Sequence, residues 1–131
     1  MAKILVIDDY APLRGLLESR LSIEGHEVST AADGEDGLRL AGRVVFDLAL
    51  IDVDLPGMDG MAVCSDLKGN SLTWHMKVLM MTGRPGWEVE IRARLAGASS
   101  VLAKPFLAGT LLDAIRVAAG SDIFSRQAGA G

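Results

Sequence analysis

The chain holds one cysteine, Cys64, in 131 residues, so it can form no internal disulfide and no zinc site of paired thiolates. That usage suits a reducing compartment, and a cytoplasmic location is expected. The apolar run Ile4-Leu5-Val6-Ile7 stops at two aspartates, too short for the apolar region of a signal peptide. No apolar stretch approaches the roughly 18–20 residues of a membrane span, so no membrane partner is expected. Lysine and arginine nowhere cluster and the net charge is -4, which gives no basis for direct nucleic-acid binding. The two histidines, His26 and His75, stand apart from each other and from Cys64. His26 follows Gly25 in a turn and should be solvated, whereas Trp74-His75 should pack away from any site.

Half of the residues are hydrophobic and 23% are charged, a globular balance at single-domain length. Short apolar runs alternate with stretches of helical period. The pattern predicts strands over Lys3–Ile7, Glu27–Thr30, Asp47–Ile51, Lys77–Met81 and Ser100–Leu102. Helices are predicted over Ala11–Glu24, Glu35–Arg43, Met61–Lys68, Trp87–Leu95 and Leu107–Ala119. Strict alternation of this kind implies an α/β fold with a parallel sheet covered by helices on both faces. The polar run Glu27-Val28-Ser29-Thr30 belongs at an edge. Leu13, Leu17 and Leu21, like Leu111 and Ile115, recur at four-residue spacing and give apolar stripes. Pro12 suits a first turn, Asp33 a cap, and Gly25 and Gly97 left-handed helix ends. Gly37 inside a helix costs about 1 kcal/mol against Ala, so that helix should be soft. A domain over residues 1–120 and a frayed tail over 121–131, ending Ala128-Gly129-Ala130-Gly131, are expected.

The apolar runs end on chemistry: Asp8-Asp9, Asp52, Thr82 and Lys104-Pro105. If the strands are parallel, their carboxyl ends bring three carboxylates, a hydroxyl and an ammonium together. Crowded carboxylates repel, and a hard divalent cation such as Mg2+, which takes oxygen ligands, offsets that repulsion. An ionised aspartate beside such a cation needs no general base to attack a phosphoryl group. Taken singly, each residue has a plainer role: an aspartate after a strand forms turns, and a lone lysine is a solvated charge.

Ile7-Asp8-Asp9, Ile51-Asp52-Val53-Asp54-Leu55-Pro56-Gly57-Met58-Asp59-Gly60, Met81-Thr82-Gly83 and Ala103-Lys104-Pro105-Phe106 together resemble the receiver domain of bacterial two-component response regulators. The likeness spans about residues 3–120. It implies a flavodoxin-like, doubly wound sheet of five parallel strands ordered 2-1-3-4-5. It also implies an Mg2+ site in which Asp9 and Asp52 are direct ligands, Asp8 acts through water and Asp54 through its backbone carbonyl. Asp52 would be the phosphoryl acceptor, with Lys104 and the Thr82 hydroxyl on phosphoryl oxygens, and the Lys104-Pro105 bond would be cis. A sensor histidine kinase or phosphotransfer protein would be the donor, and a protein of unknown identity the target.

With no effector region after the last predicted helix, the chain reads as a stand-alone, chemotaxis-regulator-like receiver or an excised one. Ser99-Ser100 replace the acidic pair that precedes the last strand in receivers that dimerise through the fourth helix, last strand and fifth helix, so a monomer is expected. Two departures stand out. Val101 occupies the position of the family's switching aromatic residue, and Gly83 replaces a common alanine. The resemblance implies that the variable side chains of Asp54 and Arg84, each two residues past a site residue, lie over the phosphoryl position, where they should pair and slow dephosphorylation, the plainer alternative being two solvated side chains. Trp87, opening the fourth helix, would be a partner anchor if exposed. Asp52-Val53-Asp54 also resembles the first motif of haloacid dehalogenase-type phosphohydrolases. Those enzymes, however, carry a further acidic motif after the lysine, whereas Asp8-Asp9 come before it. A receiver fold used without phosphorylation is a third reading, kept open by Val101.

Overall fold

The computed structural model describes residues 1–120, and the expected tail lies outside the described residues. Strands β1 (Lys3–Ile7), β2 (Glu27–Ala31), β3 (Leu48–Asp52), β4 (Lys77–Thr82) and β5 (Ser100–Ala103) alternate with helices α1 (Ala11–Ile23), α2 (Gly34–Ala41), α3 (Gly60–Lys68), α4 (Trp87–Ala96) and α5 (Ala108–Ala119). All strand pairs are parallel and the order is β2-β1-β3-β4-β5. The polar second strand lies at an edge, as its alternation demands.

Successive side chains of the central strands enter opposite cores. Leu5, Ile7, Ala49, Ile51, Val78 and Met80 pack with α2, α3 and α4, while Ile4, Val6, Leu48, Leu50, Leu79 and Met81 pack with α1 and α5. Cutting a fully buried residue such as Ile51 to Ala would cost about 2–5 kcal/mol. The predicted boundaries shift by one or two residues. Asp47 directly precedes β3, and its carboxylate accepts the Lys3 N–H at 2.8 Å.

Local signals account for the helix ends. Pro12 sits in the first turn of α1. The Asp33 and Asp59 carboxylates cap α2 and α3 by accepting from Asp36 N and Ala62 N. Gly25 and Gly97 have φ of 93° and 100°, left-handed conformations that follow α1 and α4. Gly37 has a reason beyond flexibility: a Cβ there would lie 2.2 Å from Ile7 Cδ1, so its missing side chain lets α2 lie directly on β1.

Two expectations fail. His26 is half-buried, and its Nδ1 accepts the Ala2 N–H at 3.0 Å, because the turn after α1 folds back on the start of β1. Trp74 is 62% exposed rather than packed. The loop is anchored instead by the buried Thr73, whose hydroxyl donates to the Leu67 carbonyl at 2.6 Å. Among the described residues no helix is long and apolar enough to cross a membrane.

Candidate functional site

β1 and β3 are neighbours, yet the chain leaves β1 for β2 on one side and continues from β3 to β4 on the other. At such a switch point the connections diverge and a crevice opens beyond the carboxyl ends of the strands. Asp8 and Asp9 follow β1, and Asp52 is the last residue of β3. Carboxylate oxygens of all three lie within 4.8 Å of one another. Asp8 and Asp52 are buried and Asp9 is exposed.

The Asp8 carboxylate accepts from Tyr10 N at 2.9 Å and from Lys104 Nζ at 2.6 Å. Its carbonyl oxygen accepts from Arg14 Nη1 at 2.9 Å, tying the first turn of α1 to the site. Nothing in the sequence pattern singled out Arg14, which reads there as one more polar position on a helix. Lys104 Nζ also stands 3.6 Å from Asp52 Oδ1, so one ammonium serves two acids. The cis Lys104-Pro105 peptide is present, and Lys104 N donates to Thr82 O at 2.7 Å, fixing the end of β5 beside β4.

Asp52 Oδ1 accepts from Asp54 N at 3.1 Å. The pKa of Asp52 is nonetheless raised above the ordinary carboxylate value. Burial is the largest cause; the Asp54 N–H and Lys104 oppose it, and the charges of Asp8 and Asp9 reinforce it. The Thr82 hydroxyl is buried, and its oxygen accepts from Arg84 N at 3.0 Å, which leaves its O–H free to donate elsewhere. Arg84 Nη2 meets Asp54 Oδ1 at 3.0 Å, the predicted pair. These two line a cleft of about 410 Å³ with Val53, Thr82, Trp87 and Arg92.

All the sequence-predicted site residues therefore converge at one end of the sheet. Gly60, in sequence the last residue of the motif that begins at Ile51 and a turn residue before the third helix, also permits a close approach: a Cβ there would fall 2.1 Å from the Asp52 carbonyl oxygen.

Three carboxyl groups share one ammonium, so a cation among them would offset their mutual repulsion. Every donor in the cluster is a carboxylate oxygen, with no thiolate or imidazole, and such a set suits a hard cation of the Mg2+ kind.

Comparison with known proteins agrees with the geometry. The family profile described as response regulator receiver domain matches residues 4–116. Response regulator PleD of Caulobacter vibrioides is 44% identical over 104 residues, 79% of this chain and 23% of PleD. Two-component response regulator PhoP of Pseudomonas aeruginosa is 36% identical over 104 residues, 79% of this chain and 45% of PhoP. The chain thus spans less than half the length of these curated relatives. The Vibrio cholerae chemotaxis protein CheY4 superposes with a TM-score of 0.87 at 33% identity, covering 90% of this chain and 98% of that one. The acid cluster at the β1/β3 crevice, the parallel 2-1-3-4-5 sheet and the profile match converge on one assignment: this chain belongs to the response regulator receiver domain family.

Proposed function

We propose that the chain is a phosphoryl-accepting switch in which Asp52 is transiently phosphorylated. The observation that carries this reading is the Lys104 ammonium, 2.6 Å from Asp8 and 3.6 Å from Asp52 within a cluster of three carboxylates. In that arrangement the proposed nucleophile, its charge partner and carboxylates able to hold a hard cation share one crevice, which supports the reading.

Mg2+ is the proposed cofactor, with Asp9, Asp52 and the Asp54 backbone carbonyl as ligands and Asp8 acting through water; when bound it would neutralise charge on the transferring oxygens. The chain's own groups do the rest. An ionised Asp52 oxygen attacks phosphorus and forms the P–O bond of an acyl phosphate. The bond to the leaving group breaks, and its electron pair departs with the donor's imidazole nitrogen or the carboxylate of a small acyl phosphate. Lys104 shifts from Asp52 to a phosphoryl oxygen as a point charge, and the free Thr82 O–H donates to another. Return to the ground state is attack of water on the same phosphorus, past the Asp54–Arg84 pair; the bond from phosphorus to the Asp52 oxygen breaks, its electron pair returns to the carboxylate, and inorganic phosphate leaves while the proton of water passes to solvent.

The donor is a sensor histidine kinase or phosphotransfer protein, and the output is a shifted conformational equilibrium read by a protein partner. Val101 is half-buried against the core and has no ring to rotate. Output therefore runs through Thr82 and the β4–α4 loop.

Incubation with labelled acetyl phosphate and Mg2+ tests the reading. One phosphoryl group per chain, lost with chelator and absent in Asp52→Asn, is expected; sustained labelling of Asp52→Asn would overturn it.

A further inference from the structure

The connection from β1 to α1 consists of Asp8, Asp9 and Tyr10, and it carries two of the three clustered carboxylates. The two acids are held differently. The Asp8 carboxylate is buried and accepts from Tyr10 N and the Lys104 ammonium. Asp9 is exposed, and among the described residues no donor holds its carboxylate. What aims Asp9 at its neighbours is therefore the backbone on either side of it.

That backbone is pinned at each step. Asp8 N donates to Ala31 O at 3.1 Å, and Tyr10 N closes a turn onto Asp8 Oδ1 at 2.9 Å. Tyr10 O accepts from Leu13 N and Arg14 N, each at 3.1 Å. The remaining element is the peptide plane that joins Asp8 to Asp9, and its carbonyl oxygen takes Arg14 Nη1 at 2.9 Å. Arg14 thus closes the turn twice, with its backbone N–H on Tyr10 and its half-buried guanidinium on Asp8. Among the described residues that guanidinium has no carboxylate partner, so the carbonyl is the contact that fixes it. Without it, the plane is free to turn about its two soft flanking dihedrals, and the Asp9 carboxylate swings with it.

We propose that Arg14 is a positioning residue for the cation site: by holding the Asp8 carbonyl it fixes the peptide that turns the Asp9 carboxylate into the acid cluster. This role rests on the proposed reading of the crevice as an Mg2+ site. Mg2+ demands near-octahedral ligand geometry, so a carboxylate that wanders is a poorer ligand. The guanidinium has a second, opposing effect. As a bare charge beside the crevice it repels a divalent cation, and its removal would tighten binding. As a clamp it orients a ligand, and its removal loosens binding. The two effects differ in sign, which makes them separable.

Mg2+ titration of the whole chain, followed by amide NMR shifts, is the test. Arg14→Ala should raise the Mg2+ Kd about tenfold, with the far-ultraviolet dichroism unchanged, and Arg14→Lys should recover part of the loss. Because Arg14 acts through Asp9, adding Arg14→Ala to Asp9→Asn should weaken Mg2+ no further. With acetyl phosphate as donor, the Mg2+ concentration for half-maximal labelling should rise in Arg14→Ala by the same factor, and the rate at saturating Mg2+ should fall less than twofold. Unchanged or tighter Mg2+ binding in Arg14→Ala or, should that variant not fold, in Arg14→Lys would overturn the proposal. So would a further loss in the double variant, or a labelling rate that saturating Mg2+ does not restore. A wild type that binds no Mg2+, or binds it equally well as Asp9→Asn, would overturn the cation-site reading itself and this role with it.

Discussion

Arg84 reaches over the mouth of the acid crevice to Asp54, with Nη2 3.0 Å from Oδ1. The arginine side chain is 83% exposed and the aspartate 47%, so solvent screens the pair and its intrinsic strength is low, about 0–1 kcal/mol. Its consequence is positional, because both side chains project from residues two past Asp52 and Thr82. Arg84→Ala should therefore shorten the lifetime of phosphorylated protein by up to about fivefold, the factor that 1 kcal/mol represents. Arg84→Lys should recover part of it. Following loss of label after rapid removal of acetyl phosphate measures this directly. An unchanged decay rate in Arg84→Ala would sink the idea of a lid.

Gly60 makes the opposite kind of contact with the same strand end. Its N–H donates to the Val53 carbonyl at 3.0 Å, and a Cβ would meet the Asp52 carbonyl oxygen at 2.1 Å and the Val53 Cα at 2.9 Å. Backbone atoms cannot rotate aside as a side chain can, so Gly60→Ala must push α3 off β3 or displace Asp52. The variant should lose about 1–3 kcal/mol of stability in urea unfolding. It should also accept label more slowly at saturating phosphodonor, because Asp52, the proposed nucleophile, shifts. Gly69→Ala is a useful control: there a Cβ would come no closer than 3.3 Å to a backbone oxygen, and a smaller loss is expected.

These two cases show where the sequence speaks and where it is silent. The apolar runs that end at Asp8, Asp52, Thr82 and Lys104 are legible because burial on both faces forces continuous hydrophobicity. The parallel topology then puts their carboxyl ends together. The Asp54–Arg84 pair was legible only through the receiver resemblance, which implies that side chains two residues beyond Asp52 and Thr82 lie over the same position. Gly60 and Gly37 were opaque because their roles are distances between elements, and a glycine looks the same whether it serves a turn or a close approach. His26 was misread for a related reason. Its partner, the Ala2 N–H, is 24 residues away in sequence, and only the β1–β2 pairing brings the two together.

His26 gives a prediction in pH. Its pKa is lowered below 6.5 chiefly by burial, with the charge of the amino terminus adding to this and Glu24 opposing it. In the unfolded chain the imidazole titrates near its ordinary value. As pH falls through that value the unfolded state takes up a proton that the folded state still refuses, so folding stability declines until the folded pKa is reached. Above about pH 7.5 the group is neutral in both states and contributes no slope. The wild type should consequently lose more stability than His26→Gln between about pH 7.5 and 5.5 in urea unfolding. Parallel losses would show that His26 does not titrate differently on folding.

Lys104 links stability to the proposed metal site. Asp8 has a fully buried side chain, and its carboxylate is paired with an ammonium 2.6 Å away. Lys104→Met removes that cation while keeping much of the side-chain volume, which leaves a buried acid beside two others. Breaking one partner of a buried pair costs about 3–5 kcal/mol, and Lys104 is 23% exposed, so the lower end applies. Mg2+ should then stabilise the variant more than the wild type, because the ion relieves repulsion that lysine no longer offsets. Thermal unfolding with and without Mg2+ should show a larger upward shift of Tm in Lys104→Met, and a smaller shift in Asp9→Asn, which loses a proposed ligand. Phosphoryl acceptance should fall in both variants, for different reasons: in the first the transferring group lacks its ammonium, and in the second the cation is held weakly. An equal Mg2+ shift in all three proteins would mean that the ion does not sit among these carboxylates.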